Sequence, residues 1–67
     1  MTYTCKQTIV DMLNASGPQS MGALRRECRA QSTDYNVASF LRAIVELQHN
    51  GFMTRADDVD GIVYEIV

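Results

Sequence analysis

Three breaks divide this sequence into short segments, and they limit its fold more than any other feature. They are a Gly-Pro step within residues 16–18, a polar stretch at 31–34 and an Asn-Gly step at 50–51. Glycine adopts the left-handed conformation that ends a helix, proline cannot continue one, and small polar side chains compete for helical hydrogen bonds. Each segment can therefore form only a short element. With 67 residues in all, the chain makes a single domain, residues 1–67.

The first two segments have the apolar spacing of amphipathic helices. Apolar side chains recur every three or four residues in 4–16, which predicts a helix that begins with the capping-box pattern Thr4-x-x-Gln7. A second helix is predicted from an N-cap at Ser20 to residue 29 or 30. Its predicted inward residues are Met21, Leu24 and Cys28, and its predicted solvent-facing residues are Arg25, Arg26, Glu27 and Arg29.

The third segment has the most regular pattern. It predicts a helix over residues 35–48, which Thr33 or Asp34 caps at its start and the Asn-Gly step ends. The predicted apolar face consists of Val37, Phe40, Leu41, Ile44 and Leu47, with Val45 as a further candidate. A face this wide is typical of a helix that packs on a core.

The last segment predicts a β-hairpin. Residues 52–56 and 62–67 have the composition of strands, and the residues between them, 57–61, are those of a turn. A two-residue loop at 60–61 would place Asp57 opposite Tyr64, with a charge on the apolar face. We therefore expect a three-residue loop at 59–61, which places Ala56 opposite Tyr64. This register gathers Phe52, Ala56, Ile62, Tyr64 and Ile66 on one face.

The order of these elements resembles that of the winged helix-turn-helix superfamily. Residues 17–26 are similar to the lead into its helix 2, where a leucine packs inward, and read GPQSMGALRR. Residues 37–55 are similar to its recognition helix and the Gly-apolar-apolar-x-Arg start of its wing, and read VASFLRAIVELQHNGFMTR. The resemblance implies a mainly α fold with a small β-hairpin, in which three helices precede a two-stranded wing. It also implies a transcriptional regulator that binds duplex DNA with helix 3 in the major groove.

The same resemblance implies which residues contact DNA. Ser39 and Arg42 occupy positions of helix 3 that commonly touch DNA in this superfamily. Arg42 and Asn36 are the expected base readers, since arginine can make two hydrogen bonds to guanine and asparagine two to adenine. An ion pair between Arg42 and Glu46, one turn further on, is the alternative. The expected phosphate contacts are Arg25, Arg26 and Arg29 on helix 2, with Ser32 and Thr33 in the turn.

The charge of the chain is unevenly distributed. Residues 1–55 hold all six basic residues and four acids, a net +2, whereas residues 56–67 hold the other four acids and no base, a net −4. The predicted wing tip carries Asp57, Asp58 and Asp60, and a phosphate backbone would repel these carboxylates. The alternative function is therefore a protein-interaction winged helix, such as an adaptor, antirepressor or inhibitor, whose acidic hairpin docks on a basic partner surface.

Other classes of function have no motif in the sequence. No nucleophile–base pair, glycine-rich phosphate loop or framed carboxylate pair occurs, so neither an enzyme nor a cofactor is expected. Cys5, Cys28 and His49 lack the spacing of a metal site. The run Asp58-x-Asp60-Gly61 lacks the flanking ligands of a calcium loop.

The remaining expectations concern location and assembly. Two cysteines in a chain without a secretory signal indicate a cytoplasmic protein, and no apolar run of about 18 residues predicts a membrane span. Tyr3 and Val10 would extend an apolar surface on helix 1. Such a surface would suit a homodimer, since two-fold dimers are the commonest oligomers.

Overall fold

Three helices and a small antiparallel sheet of three strands make a mainly helical α+β fold. The computed structural model describes residues 4–58 and 61–67, the side chain of Asp58 excepted. In chain order the elements are α1 (Cys5–Ser16), β1 (Gln19–Ser20), α2 (Met21–Gln31), α3 (Val37–His49), β2 (Met53–Asp58) and β3 (Gly61–Ile66). Within the described residues, no helix has the length and apolar character needed to cross a membrane.

Hydroxyl caps begin α1 and α2, as the sequence predicts. Thr4 Oγ1 accepts a hydrogen bond from the backbone N–H of Gln7 at 3.1 Å, and Ser20 Oγ accepts one from Ala23 at the same distance. Each cap satisfies one of the N–H groups that the start of a helix leaves unpaired. The Gln7 side chain turns away from the cap and donates to Asp11 Oδ1 at 2.8 Å. The capping box is therefore formed only in its first half.

The predicted cap of α3 is wrong. Asn36 Oδ1 accepts the backbone N–H of Ser39 at 2.8 Å, so the cap is Asn36 rather than Thr33 or Asp34. As a result α3 begins at Val37, two residues after the predicted start. Several side chains in residues 32–36 are able to cap a helix, and the local sequence does not distinguish among them.

Glycines end α1 and α3 at the predicted breaks. Gly17 has a φ of +77°, and its N–H donates to the carbonyl of Leu13 at 3.0 Å. Gly51 has a φ of +75° at the end of α3. The N–H groups of Gly51 and Phe52 donate to the carbonyls of Gln48 and Leu47, each at 3.0 Å, in the pattern of a Schellman motif.

The core lies where the helices meet the sheet. Its buried apolar residues are Cys5, Ile9, Leu13, Leu24, Cys28, Phe40, Ala43, Ile44, Leu47, Met53 and Tyr64. α3 packs on α1 and β2, and this leaves part of its predicted apolar face uncovered. The exposed fractions of Val37, Leu41 and Val45 are 57%, 44% and 63%. The apolar face of α3 is therefore wider than the core that it packs on.

The sheet has three strands, which corrects the prediction of a two-stranded wing. The strand order is β1-β3-β2, with β1 antiparallel to β3. Gln19 lies opposite Tyr64, and Ser20 lies opposite Val63. A strand of two residues is too short to show an alternating pattern, so its sequence does not predict it. Through β1 the hairpin is joined to the connection between α1 and α2.

The predicted register of the hairpin is wrong by one residue. Tyr64 lies opposite Arg55 rather than Ala56, and Asp58 pairs with Gly61 across residues 59–60, which lie outside the described residues. Charged side chains therefore share a face with Tyr64, an arrangement that the sequence analysis rejected. The arrangement is tolerated because Arg55 Nε lies 3.4 Å from Asp57 Oδ1 and both side chains are at least half exposed.

Candidate nucleic-acid interface

The turn at residues 32–36 connects α2 to α3. Two of its side chains are also hydrogen-bonded to α1. The hydroxyl groups of Ser32 and Thr8 are hydrogen-bonded at 2.9 Å. Asp34 Oδ1 accepts the backbone N–H of Cys5, the first residue of α1, at 2.9 Å. Both contacts fix the start of α3 relative to α1. The connection between α2 and α3 is therefore held against α1 by two side-chain hydrogen bonds.

Tyr35 orients an arginine at the start of this surface. Its ring centroid lies 6.4 Å from that of Phe40 with the two planes tilted by 54°, a geometry that aromatic pairs favour. The Tyr35 hydroxyl accepts a hydrogen bond from Arg25 Nε at 3.2 Å. The partner of Arg25 is thus a hydroxyl group rather than a carboxylate. The bond uses Nε and leaves the two Nη groups of Arg25 for a ligand.

Four exposed arginines form the basic part of the interface. In residues 4–58 and 61–67, no carboxylate forms an ion pair with Arg25, Arg26, Arg29 or Arg42. The first three occupy α2, and Arg42 lies in the middle of α3. Arg25 and Arg29 are one helical turn apart and share a face of α2. These four guanidinium groups are therefore not held in ion pairs within the described residues.

The acids of α2 and α3 are bonded elsewhere. Glu46 Oε2 lies 3.4 Å from Lys6 Nζ on α1, so the alternative of an ion pair with Arg42 is not formed. On α2, Glu27 accepts a hydrogen bond from the side chain of Gln31. Neither carboxylate is therefore ion-paired with an arginine of α2 or α3.

Ser39 and Arg42 lie on the flank of α3 that faces the start of α1. They line a crevice of about 270 Å³ together with Thr4, Asp34 and Glu46. Ser39 is half-buried, and its backbone N–H is used by the cap of α3. Arg42 is exposed. Of the two residues of α3 that the resemblance assigns to DNA, Arg42 is therefore the exposed one.

The other predicted contacts differ in how much of the side chain is available. Asn36 is exposed, and its Oδ1 caps α3 while the Nδ2 group keeps its capacity to donate. Ser32 is half-buried against Thr8. Thr33 is exposed. The arginines rather than these polar residues therefore dominate the accessible chemistry of the interface.

An apolar stripe on α3 borders the arginines, and the sequence analysis assigned it to the core. Val37, Leu41 and Val45 recur every four residues, so they lie above one another on one exposed side of the helix. Beside them is a groove of about 270 Å³, whose lining includes Met21, Arg25, Tyr35, Val37 and Leu41. The signal was present in the sequence as an apolar arc too wide for one packing partner.

The acidic hairpin is only partly described by the structure. Asp57 is exposed and pairs with Arg55, as given above. The side chain of Asp58 and the whole of Asp60 lie outside the described residues. The charge of the described part of β2 is therefore partly compensated within the strand.

The two cysteines are buried between α1 and α2. Cys28 Sγ lies 3.6 Å from the backbone oxygen of Cys5 and donates to it. Burial raises the pKa of the Cys28 thiol to about 12, and it also raises that of Cys5. Both thiols are therefore protonated at neutral pH, and a protonated thiol is a poor nucleophile. The described residues contain no group of three or more His, Cys, Asp or Glu side chains arranged to hold a metal ion.

Comparison with known proteins provides no relative. The sequence matches no protein-family model, and neither the curated proteins nor the solved structures include a match. The candidate interface is therefore defined by its own geometry and charge.

Proposed function

We propose that this chain is a small winged helix-turn-helix protein that binds duplex DNA through α2 and α3 and acts as a transcriptional regulator. The order of elements supports the fold, since three helices precede the β2–β3 hairpin and only residues 32–36 separate α2 from α3. The pairing of β1 with β3 gives the hairpin a fixed position beside the helices. The order of elements agrees with the resemblance found in the sequence, whereas the third strand was not expected from it.

The observation that carries the proposal is the set of four unpaired arginines on α2 and α3. The whole chain has a net charge of −2, yet this surface presents four guanidinium groups without a bonded carboxylate in the described residues. Lys and Arg that neutralise phosphates supply most of the affinity for duplex DNA, because they release condensed counterions. A local excess of arginine therefore matters more for DNA binding than the total charge does.

The arginines divide into two roles by position. Arg42 lies on the exposed side of α3 and would read a base edge in the major groove, where guanine presents two acceptors to arginine. Arg25, Arg26 and Arg29 lie on α2 and would contact the phosphates that flank the groove. In this arrangement the acidic hairpin points away from the duplex, because Asp57 and its neighbours would otherwise be repelled.

A salt titration tests the proposal. Fluorescence anisotropy would measure binding of a labelled duplex of random sequence between about 50 and 200 mM salt. We expect log K to fall linearly with log salt, with a slope of about −3 to −4 for three or four phosphate contacts. Replacement of Arg25, Arg26 and Arg29 by Gln together should reduce the slope by about three.

Arg55→Gln is the matched control, since Arg55 is an exposed arginine on the hairpin rather than on α2 or α3. It should leave the slope unchanged. Absence of binding at low salt would refute the proposal, as would equal effects of the α2 variant and the control. Selection of bound sequences from a random duplex pool, repeated with Arg42→Ala, would test whether Arg42 reads a base.

A further inference from the structure

The contacts proposed with DNA are made by arginines and do not account for the apolar stripe of Val37, Leu41 and Val45. Each of the three side chains is more than two-fifths exposed, although α3 also supplies buried residues to the core. Exposed aliphatic residues that stand singly need no explanation, whereas three in one row on one helix form a continuous surface. The row spans about 12 Å at the rise of an α-helix, roughly two turns.

A groove beside the stripe gives this surface a concave shape. Met21 and Tyr35 line it from α2 and the turn, while Val37 and Leu41 line it from α3. Its volume is about 270 Å³, enough for a few aliphatic side chains rather than for a cofactor-sized molecule. An amphipathic helix binds such grooves by inserting apolar residues at spacings of three and four.

Charge defines the borders of the groove. Arg25 is part of its lining, held at Nε by Tyr35. Arg42 is a helical neighbour of Val45, three residues away, and lies on the other side of the stripe. The nearest carboxylate on α3 is Glu46, and it is paired with Lys6 on α1. The stripe is therefore apolar in its centre and has an arginine on each side.

These charges argue against a second copy of the chain as the occupant. A two-fold pairing of α3 with α3 would bury the stripe, but it would also bring Arg42 towards its symmetry mate and Arg25 towards the other copy's arginines. Like charges at an interface cost free energy. A partner that carries carboxylates on both sides of an apolar row would instead complement the surface.

We propose that the groove between α2 and α3 binds an acidic amphipathic helix of another protein. Its apolar residues would cover Val37, Leu41 and Val45, and its flanking carboxylates would pair with Arg25 and Arg42. This partner goes beyond the proposed function and does not depend on it. Because the two ligands would share the same arginines, a bound partner helix excludes DNA from this surface.

Titration of the ¹⁵N-labelled protein with a synthetic peptide tests the inference. The probe is a helix of about 18 residues with leucines at spacings of three and four and glutamates on both sides. Control peptides have lysine in place of each glutamate, or serine in place of each leucine. We expect the glutamate–leucine peptide to shift the amide signals of residues 37–45 and to bind at least tenfold more tightly than either control.

Variants of the protein distinguish the contribution of the apolar stripe to binding from that of the arginines. Val37→Ser with Val45→Ser should weaken binding of the peptide about tenfold, since less apolar area is buried, and should leave the salt dependence of DNA binding unchanged, because it removes no charge. Val67→Ser is the matched control, because Val67 is 78% exposed and lies at the chain end beyond β3. Arg25→Gln should weaken the binding of both the peptide and duplex DNA.

Two results would overturn the inference. One is a peptide affinity that is insensitive to the valine pair or to the sign of the peptide charge. The other is a concentration-dependent dimer, seen by light scattering, that the valine pair abolishes, since the occupant would then be a second copy. If the protein binds the peptide but not duplex DNA, the proposed function is refuted and the inference of a partner helix stands.

Discussion

Asp34 and Cys5 are 29 residues apart in sequence, yet Asp34 Oδ1 accepts the backbone N–H of Cys5 at 2.9 Å. The carboxylate thus satisfies an N–H group at the start of α1 from the turn that precedes α3. Negative charge is favourable at this end of a helix, where the helix dipole is positive. The contact makes the position of α3 depend on α1, so the candidate interface is supported by a helix that does not form part of it.

Removal of this carboxylate should destabilise the whole fold. We expect Asp34→Ala to lower the free energy of unfolding by about 1–2 kcal/mol, through loss of the hydrogen bond and of the favourable charge. Asp34→Asn keeps an acceptor oxygen and should cost less than half as much. Urea unfolding followed by circular dichroism measures both. Equal losses of free energy of unfolding for the two variants would mean that Asp34 stabilises the fold through its charge and not through its hydrogen bond.

The cap of α3 gives a second prediction. Asn36→Ala should cost about 1 kcal/mol, because the N–H of Ser39 loses its acceptor, whereas Asn36→Asp should preserve stability. The aspartate variant is also a test of the interface, since a carboxylate at this exposed position repels phosphate. If it binds duplex DNA as tightly as the original protein, Asn36 is a cap and not a DNA contact.

These side chains show which parts of the structure the sequence could predict. Thr4, Ser20 and Gly51 act on their own helices, so local patterns were enough to predict the role of each. Asp34 and Asn36 compete within one polar stretch, and the choice between them depends on α1, which local patterns do not contain. The exposure of Leu41 likewise depends on which elements reach α3. Tertiary packing, rather than helical periodicity, decides such cases.

The buried thiol of Cys28 predicts how stability changes at high pH. Burial raises its pKa from 9.0 to about 12, so the folded protein keeps the proton between these values while the unfolded chain loses it. The unfolded state then binds fewer protons, and the free energy of unfolding falls by up to about 1.4 kcal/mol per pH unit as pH rises above 9. Below pH 9 this contribution is fully present and constant.

Cys28→Ala is the comparison for this prediction, because it removes the titrating group and leaves the other bases and tyrosines in place. Its free energy of unfolding should be lower than that of the original protein at pH 8, and the difference should shrink by pH 11. Urea unfolding at both pH values measures it. If the difference in free energy of unfolding is the same at pH 8 and pH 11, the Cys28 thiol has the same pKa in the folded and the unfolded state.

The hairpin register predicts unequal effects on one face of the sheet. Tyr64 lies opposite Arg55 and is 4% exposed, so Tyr64→Ala should cost about 3 kcal/mol. Asp57→Asn removes an exposed ion pair and should change stability by less than about 0.5 kcal/mol. Thermal unfolding of the two variants distinguishes the buried end of this face from its exposed end. A large loss for Asp57→Asn would require a partner for Asp57 other than Arg55.

The two sides of α3 should respond differently to the same substitution. Leu47 is 3% exposed and Leu41 is 44% exposed, although both belong to the apolar face predicted from the sequence. Leu47→Ala should cost about 2–5 kcal/mol, because it leaves a cavity in the core, whereas Leu41→Ala should cost less than about 1 kcal/mol. Urea unfolding at two protein concentrations measures both. If Leu41→Ala is as costly as Leu47→Ala and its cost grows with concentration, then another copy covers the stripe in solution. A small cost, independent of concentration, leaves Leu41 on a surface open to a different partner.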